Sequence, residues 1–452
     1  MRKLENRAII CLILALLLLI GTGLFCFRFI TQGSEWASYP VNKHLFDGGN
    51  LDSGTIYDRD GVKLLENTPA GAVYNDEARI RRATLHAVGD PGGNISTGAE
   101  TKFAGNITGY NFVNGTYNAG KEGNNLYLTI DAEVCADAYE ALGGRKGCVG
   151  VYNYKTGKLV CVVSSPSYDP NNPVSEETAE NDGYYINRLF SATFVPGSVF
   201  KTVTGAAVID TLDYENWSYD CTGSNIIEDD DITDVSAHGN VSFRDALCKS
   251  CNCGFADLTL QLGPDVMKEY VKKTGMTKSW SINGINTAKG SFDFDTDNQA
   301  ALAWSGIGQS KDMVNPCALM IYMGSVANNG RTVVPQIINS TKTSGGFPLS
   351  IYMPRWRTRM ISGSTAATLK EMLRNNVVNN YGDGNFPGLN LCAKSGTAEV
   401  GDGTSHSWFT GFMDDSSHPY AFVVLVEHGG SGAKVAGSVA NRVLQSVINH
   451  EN

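Results

Sequence analysis

The most informative segment of the chain reads FVPGSVFK, at residues 194–201. A Pro-Gly turn precedes Ser198, and the apolar and alanine-rich run at 199–209 predicts a buried helix. Lys201 then lies on the same helix face as Ser198, because positions i and i+3 are neighbours. A lysine whose pKa is lowered by burial can accept a serine proton, and N–H groups at the helix start can stabilise an oxyanion. The segment therefore predicts a serine nucleophile with a lysine base.

A second polar motif is Ser250-Cys251-Asn252, in a predicted loop between two helices. The Ser250 hydroxyl and the Asn252 amide, two residues apart, could relay a proton and orient a substrate amide. The alternative is that Asn252 only caps the helix that follows. The order of the motifs along the chain favours the catalytic interpretation.

A third motif, Lys394-Ser395-Gly396-Thr397, follows a mostly apolar run and precedes another strand-like run. We expect Lys394 to project from an inner strand of a sheet. There it could meet a substrate carboxylate while the adjacent backbone pairs with an extended peptide. The alternative is a surface lysine on an edge strand.

Each motif also occurs elsewhere in the chain, so a match of residue types alone does not select a site. Residues 431–434 spell S-x-x-K in a glycine-rich turn, and residues 281–283 spell S-x-N. The K-T-G at 155–157 falls in a predicted hairpin turn, and the K-T-G at 273–275 falls at the predicted end of a helix. Local context therefore favours the three copies described first.

In this order the three motifs resemble the S-x-x-K, S-D-N and K-T-G signature of penicillin-binding proteins and class A β-lactamases, in S-x-N and K-S-G variants. The chain resembles more closely the monofunctional class B penicillin-binding proteins, the D,D-transpeptidases of peptidoglycan synthesis. Longer segments carry this resemblance as well, at residues 54–61, 128–131, 147–171, 187–190, 194–201, 306–309, 394–399 and 406–412. Immediately before the first of them, Ser53 stands where the family's box begins with an arginine.

Strand-like runs at both ends of the segment after residue 126, with helices between them, predict an α+β domain. The resemblance implies a penicillin-binding/β-lactamase-like transpeptidase domain. Such a domain has a five-stranded antiparallel sheet flanked by helices and an all-helical subdomain. The expected division is a cytoplasmic N-terminus (1–7), a single transmembrane anchor (8–30), a β-rich pedestal, dimerisation-like domain (31–125) and the transpeptidase domain (126–452).

The resemblance also implies a role for each motif residue. Ser198 would attack the penultimate D-alanine carbonyl of a stem peptide, with Lys201 as the base. Ser250, with Lys394 nearby, would pass a proton to the departing D-alanine, and Asn252 would hold the peptide amide. The substrate-binding residues would be Ser395, Gly396 and Thr397, with Thr397 and Lys394 on the terminal carboxylate and the backbone N–H groups of Ser198 and Thr397 as the oxyanion hole.

Residues 8–27 form an uncharged, mostly apolar run that is long enough to cross a bilayer as a helix. Arg2, Lys3 and Arg7 precede it, so the positive-inside bias places the N-terminus in the cytoplasm. A cleaved signal peptide is the rival interpretation, but no clear small-x-small site follows the core. We therefore expect a single-pass cell-membrane protein with an extracytoplasmic catalytic domain.

The net charge of −10 and the lack of a Lys/Arg cluster beyond the first residues exclude nucleic acid as an expected partner. By resemblance, the partners are stem peptides ending in D-Ala-D-Ala, β-lactam antibiotics, a polytopic membrane glycan polymerase and other cell-wall synthesis proteins. The resemblance implies no cofactor and no metal.

Nine of the eleven cysteines follow the anchor, an odd number. One hypothesis pairs Cys221 with Cys251 or Cys253, which would make the site redox-sensitive. A zinc site built on Cys248 and Cys251 is disfavoured, because no second ligand pair has suitable spacing. His406, close to the third motif, is expected to be structural rather than to shape the substrate groove.

Two rival functions stay open. A D,D-carboxypeptidase or β-lactamase uses the same motifs but transfers the acyl group to water. The predicted anchor and pedestal, and the absence of an E-x-x-L-N stretch, disfavour a class A β-lactamase. A β-lactam sensor or an inactive scaffold is disfavoured by the intact Ser198, Lys201 and Lys394.

Overall fold

The computed structural model describes residues 2–37, 54–68, 71–108, 123–294, 297–350, 352–401 and 403–451; parts of the predicted pedestal, including Ser53, lie outside them. The helices are α1 (Arg2–Ala37), α2 (Ala78–Val88), α3 (Ala99–Lys102), α4 (Ala104–Ile107), α5 (Ala132–Leu142), α6 (Glu176–Asp182), α7 (Arg188–Ser191), α8 (Lys201–Thr211), α9 (Phe243–Lys249), α10 (Asn252–Lys273), α11 (Gln299–Gly306), α12 (Pro316–Ala327), α13 (Gly363–Asn376) and α14 (Gly437–Asn449).

The strands are β1 (Thr55–Tyr57), β2 (Lys63–Thr68), β3 (Gly71–Tyr74), β4 (Asn125–Leu128), β5 (Gly147–Asn153), β6 (Leu159–Ser165), β7 (Ser218–Cys221), β8 (Ser224–Ile227), β9 (Asp230–Thr233), β10 (Gly239–Ser242), β11 (Ser281–Ile282), β12 (Ile285–Asn286), β13 (Arg331–Val334), β14 (Ile338–Lys342), β15 (Pro348–Ser350), β16 (Arg355–Arg359), β17 (Leu391–Glu399), β18 (Ser405–Met413) and β19 (Tyr420–Val426). Short 3-10 turns at Gly197–Val199 and Asp383–Asn385 and π-helical turns at Val377–Gly382 and Gly432–Ala436 complete the described elements.

The central sheet has five antiparallel strands in the order β17-β18-β19-β5-β6. Every residue of β6 and β19 is buried, so both sheet faces are covered. Helices α5 and α14 pack on each other and on this sheet, as does α12. Such strands read as continuous apolar runs because neither face meets water. The α+β prediction and the five-stranded antiparallel sheet are confirmed.

In the sequence, a helical subdomain lies between strands β5 and β6 and strands β17 to β19 of this sheet. Its long helix α10 packs against α8 and α11. The helix breaks at Gly263, whose φ is +73° and which precedes Pro264. Two short hairpins, β7–β10 and β8–β9, lie just before α9, a region that the sequence interpretation treated as part of a mainly helical middle.

A second, six-stranded sheet has the order β15-β14-β4-β1-β2-β3. The domain boundary predicted between residues 125 and 126 falls inside β4. Strands β14 and β15, from the predicted transpeptidase segment, join the same sheet. The six-stranded sheet therefore joins residues from both sides of the predicted boundary.

Helix α1 contains the predicted anchor. Its segment Glu5–Phe29 is long and apolar enough to cross a membrane, with a mean hydropathy of 2.9, and is not buried by the rest of the protein. A single apolar N-terminal helix of this kind fits a single-pass membrane protein.

Candidate active site

The nucleophile segment forms a tight turn rather than a uniform helix. Residues Gly197–Val199 make one 3-10 turn, and α8 begins at Lys201, close to the helix start that the sequence predicts. The turn is held at its entrance by Trp408, whose Nε1 donates to the carbonyl of Val195 at 3.0 Å. Ser198 lies in this turn and is half-buried.

Gly197 allows the turn to approach the third motif closely. Its φ is +56°, a left-handed conformation that favours glycine. A Cβ at this position would lie 2.9 Å from both the Cβ of Ala398 and the carbonyl oxygen of Thr397. The backbone of the nucleophile turn therefore lies directly against β17.

Lys201 is fully buried, and its ammonium is bound by the second motif. Its Nζ donates to the carbonyl oxygen of Ser250 at 2.6 Å, to Oδ1 of Asn252 at 2.6 Å and, more weakly, to Oγ of Ser250 at 3.4 Å. Burial lowers the pKa of Lys201 to about 8, although the charge of Asp234 acts in the opposite direction. Among the described residues, no hydrogen bond joins Lys201 to Ser198.

The second motif joins two helices, as the sequence predicts. Ser250 ends α9 in a left-handed conformation with φ +59°. The N-cap of α10 is Cys251, whose sulfur accepts from the N–H of Gly254. The side chain of Asn252 is thus not needed as a cap, and its oxygen is available to Lys201.

Lys394 approaches the same hydroxyl from the sheet. Its Nζ donates to Oγ of Ser250 at 3.0 Å and to the carbonyl of Ser395 at 2.9 Å. Burial, and then the like charge of Lys201, lower its pKa well below the usual range. The expectation of an inner strand is wrong, because β17 is the edge strand of the central sheet. Lys394 is nevertheless fully buried, since neighbouring elements cover it.

The three motifs therefore converge on one atom, Oγ of Ser250. Two lysines with lowered pKa values flank this hydroxyl, so a proton can pass from one amine to the other across it without a large change in charge. The structure brings together Lys201, Ser250, Asn252 and Lys394, and the chain places Ser198 one turn before Lys201.

The remaining third-motif residues differ in exposure. Thr397 is exposed, and its Oγ1 accepts from the N–H of Gly432 at 3.2 Å. Gly396 is buried, and a Cβ there would lie 3.0 Å from the carbonyl oxygen of Pro196. Ser395 is half-buried, and both its N–H and its hydroxyl donate to Tyr381. Of the three, Thr397 is the one whose side chain is open to a substrate.

Tyr381 is a site residue that the sequence interpretation missed. It lies in the π-helical turn Val377–Gly382, and its oxygen accepts from Ser395 N at 2.9 Å and Ser395 Oγ at 3.0 Å. Burial raises its pKa to about 12, so the phenol stays protonated. No short motif surrounds Tyr381; a lone tyrosine at a helix end gives no catalytic signal.

Replacing Tyr381 by phenylalanine is expected to lower stability by about 1–2 kcal/mol, because the N–H of Ser395 loses its acceptor. Without this hydrogen bond β17 is held less firmly, so acylation by a β-lactam should also slow several-fold. Thermal unfolding and stopped-flow acylation would measure the two effects. Tyr352→Phe is the matched control, since its hydroxyl contacts Gln336 and Thr156 away from the site. Equal acylation rates for the two variants would contradict a positioning role for Tyr381.

The serine and lysine side chains of the competing motif copies do not join this site. Residues 155–157 form the turn between β5 and β6, and the copy at 273–275 follows the end of α10. Residues 281–283 lie in the β11–β12 hairpin. The side chain of Ser431 is exposed, but the neighbouring Gly432 packs on the backbone of Gly396, so this loop is less solvated than expected.

His406 packs edge-on against Phe194 and accepts from the N–H of His428 at 3.2 Å, in the structural role that was expected. All eleven cysteines are free thiols, so the hypothetical disulfide of Cys221 is not formed. Cys221 and Cys251 both contact the same oxygen of Asp234 instead.

The comparisons with known proteins identify a family. Residues 147–445, more than half of the chain, match the family of the penicillin binding protein transpeptidase domain. Peptidoglycan D,D-transpeptidase PbpA of Mycobacterium tuberculosis is 28% identical over 361 residues, which cover 73% of each chain. Penicillin-binding protein 3 of Bacillus subtilis is 27% identical, over 65% of this chain and 46% of that protein.

Among solved structures, a ceftriaxone acyl-enzyme complex of penicillin-binding protein A from M. tuberculosis is similar in fold. The TM-score is 0.78 at 23% identity, and the match covers 87% of this chain and 98% of that one. A penicillin-binding protein PBP2 in complex with MreC from Helicobacter pylori matches with a TM-score of 0.62 at 20% identity, over 73% of this chain and 65% of that chain.

Proposed function

The chain belongs to the penicillin-binding protein transpeptidase family, and from this premise we propose that it is a peptidoglycan D,D-transpeptidase with Ser198 as its nucleophile. The observation that carries the assignment is the convergence of Lys201 and Lys394 on the Ser250 hydroxyl, with Asn252 bound to Lys201, beside the Ser198 turn. The apolar helix α1 fits a single-pass membrane protein, and the positive charges at the start of this helix favour a cytoplasmic N-terminus.

In the first step, Oγ of Ser198 bonds to the penultimate D-alanine carbonyl carbon of a stem peptide. Lys201, in the amine form that its lowered pKa makes accessible, takes the serine proton. The D-Ala–D-Ala amide bond breaks, and the departing amine receives a proton through the Ser250 hydroxyl, with Lys394 on its other side. The product is an acyl-enzyme ester and free D-alanine.

The edge position of β17 suits the binding of an extended peptide. An edge strand has unpaired backbone groups on one side, which can pair with a substrate strand. The exposed Thr397 would contact the terminal carboxylate. The buried Lys394, three residues earlier on the same strand, would contribute its charge, while Ser395 and Gly396 keep the strand in place.

In the second step, the amine of a neighbouring stem peptide attacks the ester carbonyl and releases Ser198. A cross-link between two glycan strands results. A β-lactam would acylate Ser198 in the same way and remain bound. Since a related PBP2 is found in complex with MreC, we also propose that the chain works with other cell-wall proteins, including a membrane-embedded glycan polymerase.

The molecule that accepts the acyl group from Ser198 distinguishes a transferase from a hydrolase. The full-length chain in detergent would be incubated with a labelled stem pentapeptide and an amine acceptor, and the products separated by mass spectrometry. The expected product is a peptide dimer formed with release of one D-alanine. Hydrolysis without dimers would instead indicate a carboxypeptidase, and rapid turnover of penicillin would indicate a β-lactamase. A stable penicillin adduct without any peptide product would indicate a β-lactam sensor, and the lack of any covalent adduct would indicate an inactive scaffold.

A further inference from the structure

A cavity of about 670 Å³ lies at the end of α10 that is opposite Asn252. The last turn of α10, the segment that follows this helix and the paired strands β13 and β16 form its walls. Cavities of about 300–1,000 Å³ are typical of sites for small ligands. Its described lining contains no residue of the three motifs. We call it the α10 cavity, and it is separate from the candidate active site.

Four exposed basic side chains line the α10 cavity, namely Lys272, Lys273, Lys278 and Arg359. Lys273 is joined to Asp210 at 3.4 Å, whereas no carboxylate pairs with Lys272 or Arg359 among the described residues. The whole chain has a net charge of −10, so its overall field repels an anion. An anion that binds in this cavity would therefore be held by the local basic side chains.

Two tryptophans supply flat apolar surfaces in the same cavity. The side chain of Trp356 is 56% exposed, which leaves its ring open to a ligand. Trp280 is only 4% exposed, and Nζ of Lys278 lies 4.0 Å from the centre of its ring. Gly275 lets this indole approach the backbone, since a Cβ there would lie 2.5 Å from Cζ2 of Trp280. The cavity thus combines an accessible indole with nearby positive charge.

One wall of the α10 cavity contains a hydroxyl whose hydrogen bonds are not satisfied. Thr332, on β13, lines the cavity and is fully buried. Its Oγ1 has no hydrogen-bond partner within the part of the chain that the structure describes. A buried hydroxyl without a partner costs free energy, so such groups usually meet a water molecule or a ligand. A polar group of a ligand in the cavity would supply the missing hydrogen bond.

From these observations we propose that the α10 cavity binds an acidic sugar. The apolar C–H face of a pyranose ring packs on the exposed indole of Trp356, and a ring hydroxyl bonds to Thr332. The negative group binds to Lys272 and Arg359. A phosphate and a carboxylate both fit, because each accepts charge-assisted hydrogen bonds from ammonium and guanidinium groups. That the sugar belongs to a cell-wall glycan rests on the proposed function, but its binding does not.

Ligand-observed NMR titration of the full-length chain in a nonionic detergent tests the site. The probes are N-acetylglucosamine 1-phosphate, N-acetylmuramic acid and the neutral N-acetylglucosamine. Both acidic sugars should bind at least about tenfold more tightly than the neutral sugar. The tighter of the two identifies phosphate or carboxylate as the preferred negative group. Binding of both should weaken several-fold at about 0.5 M salt, because the basic side chains are exposed.

Variants of the cavity residues test the contacts one by one. Arg359→Gln and Trp356→Ala should each weaken binding of the acidic sugars at least about fivefold. Lys268→Gln and Phe347→Ala are the matched controls, because both side chains are exposed and lie outside the cavity. Thr332→Val should weaken binding about threefold or more. Its Tm should stay within about 2 °C of wild type, since the hydroxyl has no hydrogen bond to lose in the free protein.

Three results would overturn the acidic-sugar site. They are equal affinities for the neutral and the acidic sugars, wild-type affinity in both Arg359→Gln and Trp356→Ala, and tighter binding of adenosine monophosphate than of either acidic sugar. Labelling with fluorescent penicillin separates the two proposals, because the cavity variants should label like wild type. Labelled protein that binds no acidic sugar refutes only the site in the α10 cavity. Sugar-binding protein without any label refutes only the proposed function.

Discussion

Replacing Ser198 by alanine is expected to abolish covalent labelling by a fluorescent penicillin. The acyl-enzyme ester requires the serine oxygen, and no neighbouring hydroxyl can take its place, because Oγ of Ser250 is held between the Nζ atoms of Lys201 and Lys394. Labelling is measured by gel fluorescence after denaturation. The fold should persist, because Ser198 is half-buried and its hydroxyl makes no hydrogen bond among the described residues. The Tm should therefore change by no more than about 2 °C.

The control for this variant is Ser431→Ala, which alters the other S-x-x-K copy. The Ser431 side chain is exposed, so this variant should label like wild type. If Ser198→Ala protein with an unchanged Tm still formed a stable adduct, Ser198 would not be the nucleophile. Loss of labelling in Ser431→Ala would mean that the wrong copy had been selected.

Replacing Lys201 by methionine is expected to slow penicillin acylation by about 10²–10⁴-fold, the usual contribution of a positioned general base. Methionine matches the unbranched stem of lysine but cannot accept a proton. The rate is measured by stopped flow with a chromogenic β-lactam. Lys434→Met is the control, because Lys434 is the exposed lysine of the other S-x-x-K copy. A Lys201→Met rate within about threefold of wild type would exclude Lys201 as the base.

The pH profile gives an independent test of the same role. Burial lowers the pKa of Lys201 to about 8, although the charge of Asp234 acts in the opposite direction. The remaining charged neighbour is Lys394, whose own pKa is lowered well below the usual range. Since the neutral amine is the active form, the acylation rate should rise with pH and level off above about 8. A rate that falls over this range would contradict the assignment.

Much of the fold follows from local patterns. The apolar runs that become β5, β6 and β19 read as buried strands, and the Gly263-Pro264 pair divides the helical pattern of α10 where the structure shows a break. The length and the apolar composition of helix α1 are enough to predict a membrane span. The short hairpins β7–β10 and β8–β9 gave no clear pattern, because strands of four residues are too short to show a period.

The site was less predictable than its motifs. Local context selected Ser198, Ser250 and Lys394, because turns, helix starts and apolar strands have characteristic residue types beside them. The residues beside Tyr381 and Asp234 form no such characteristic pattern. Their importance arises from a hydrogen bond to Ser395 and from contacts with Cys221 and Cys251, and no short spacing rule connects these residues.

Sequence alone established the order of three chemical motifs, the membrane helix and the α+β arrangement, because each depends on periodicity or turn chemistry within a few neighbouring residues. Folding established which groups touch. Lys201 meets Ser250 across 49 residues, and Lys394 meets the same hydroxyl across 144. It also placed β17 at a sheet edge and buried Lys394 there. Burial lowers the pKa of both lysines, and the like charge of Lys201 lowers the pKa of Lys394 further; both effects arise only when the chain packs.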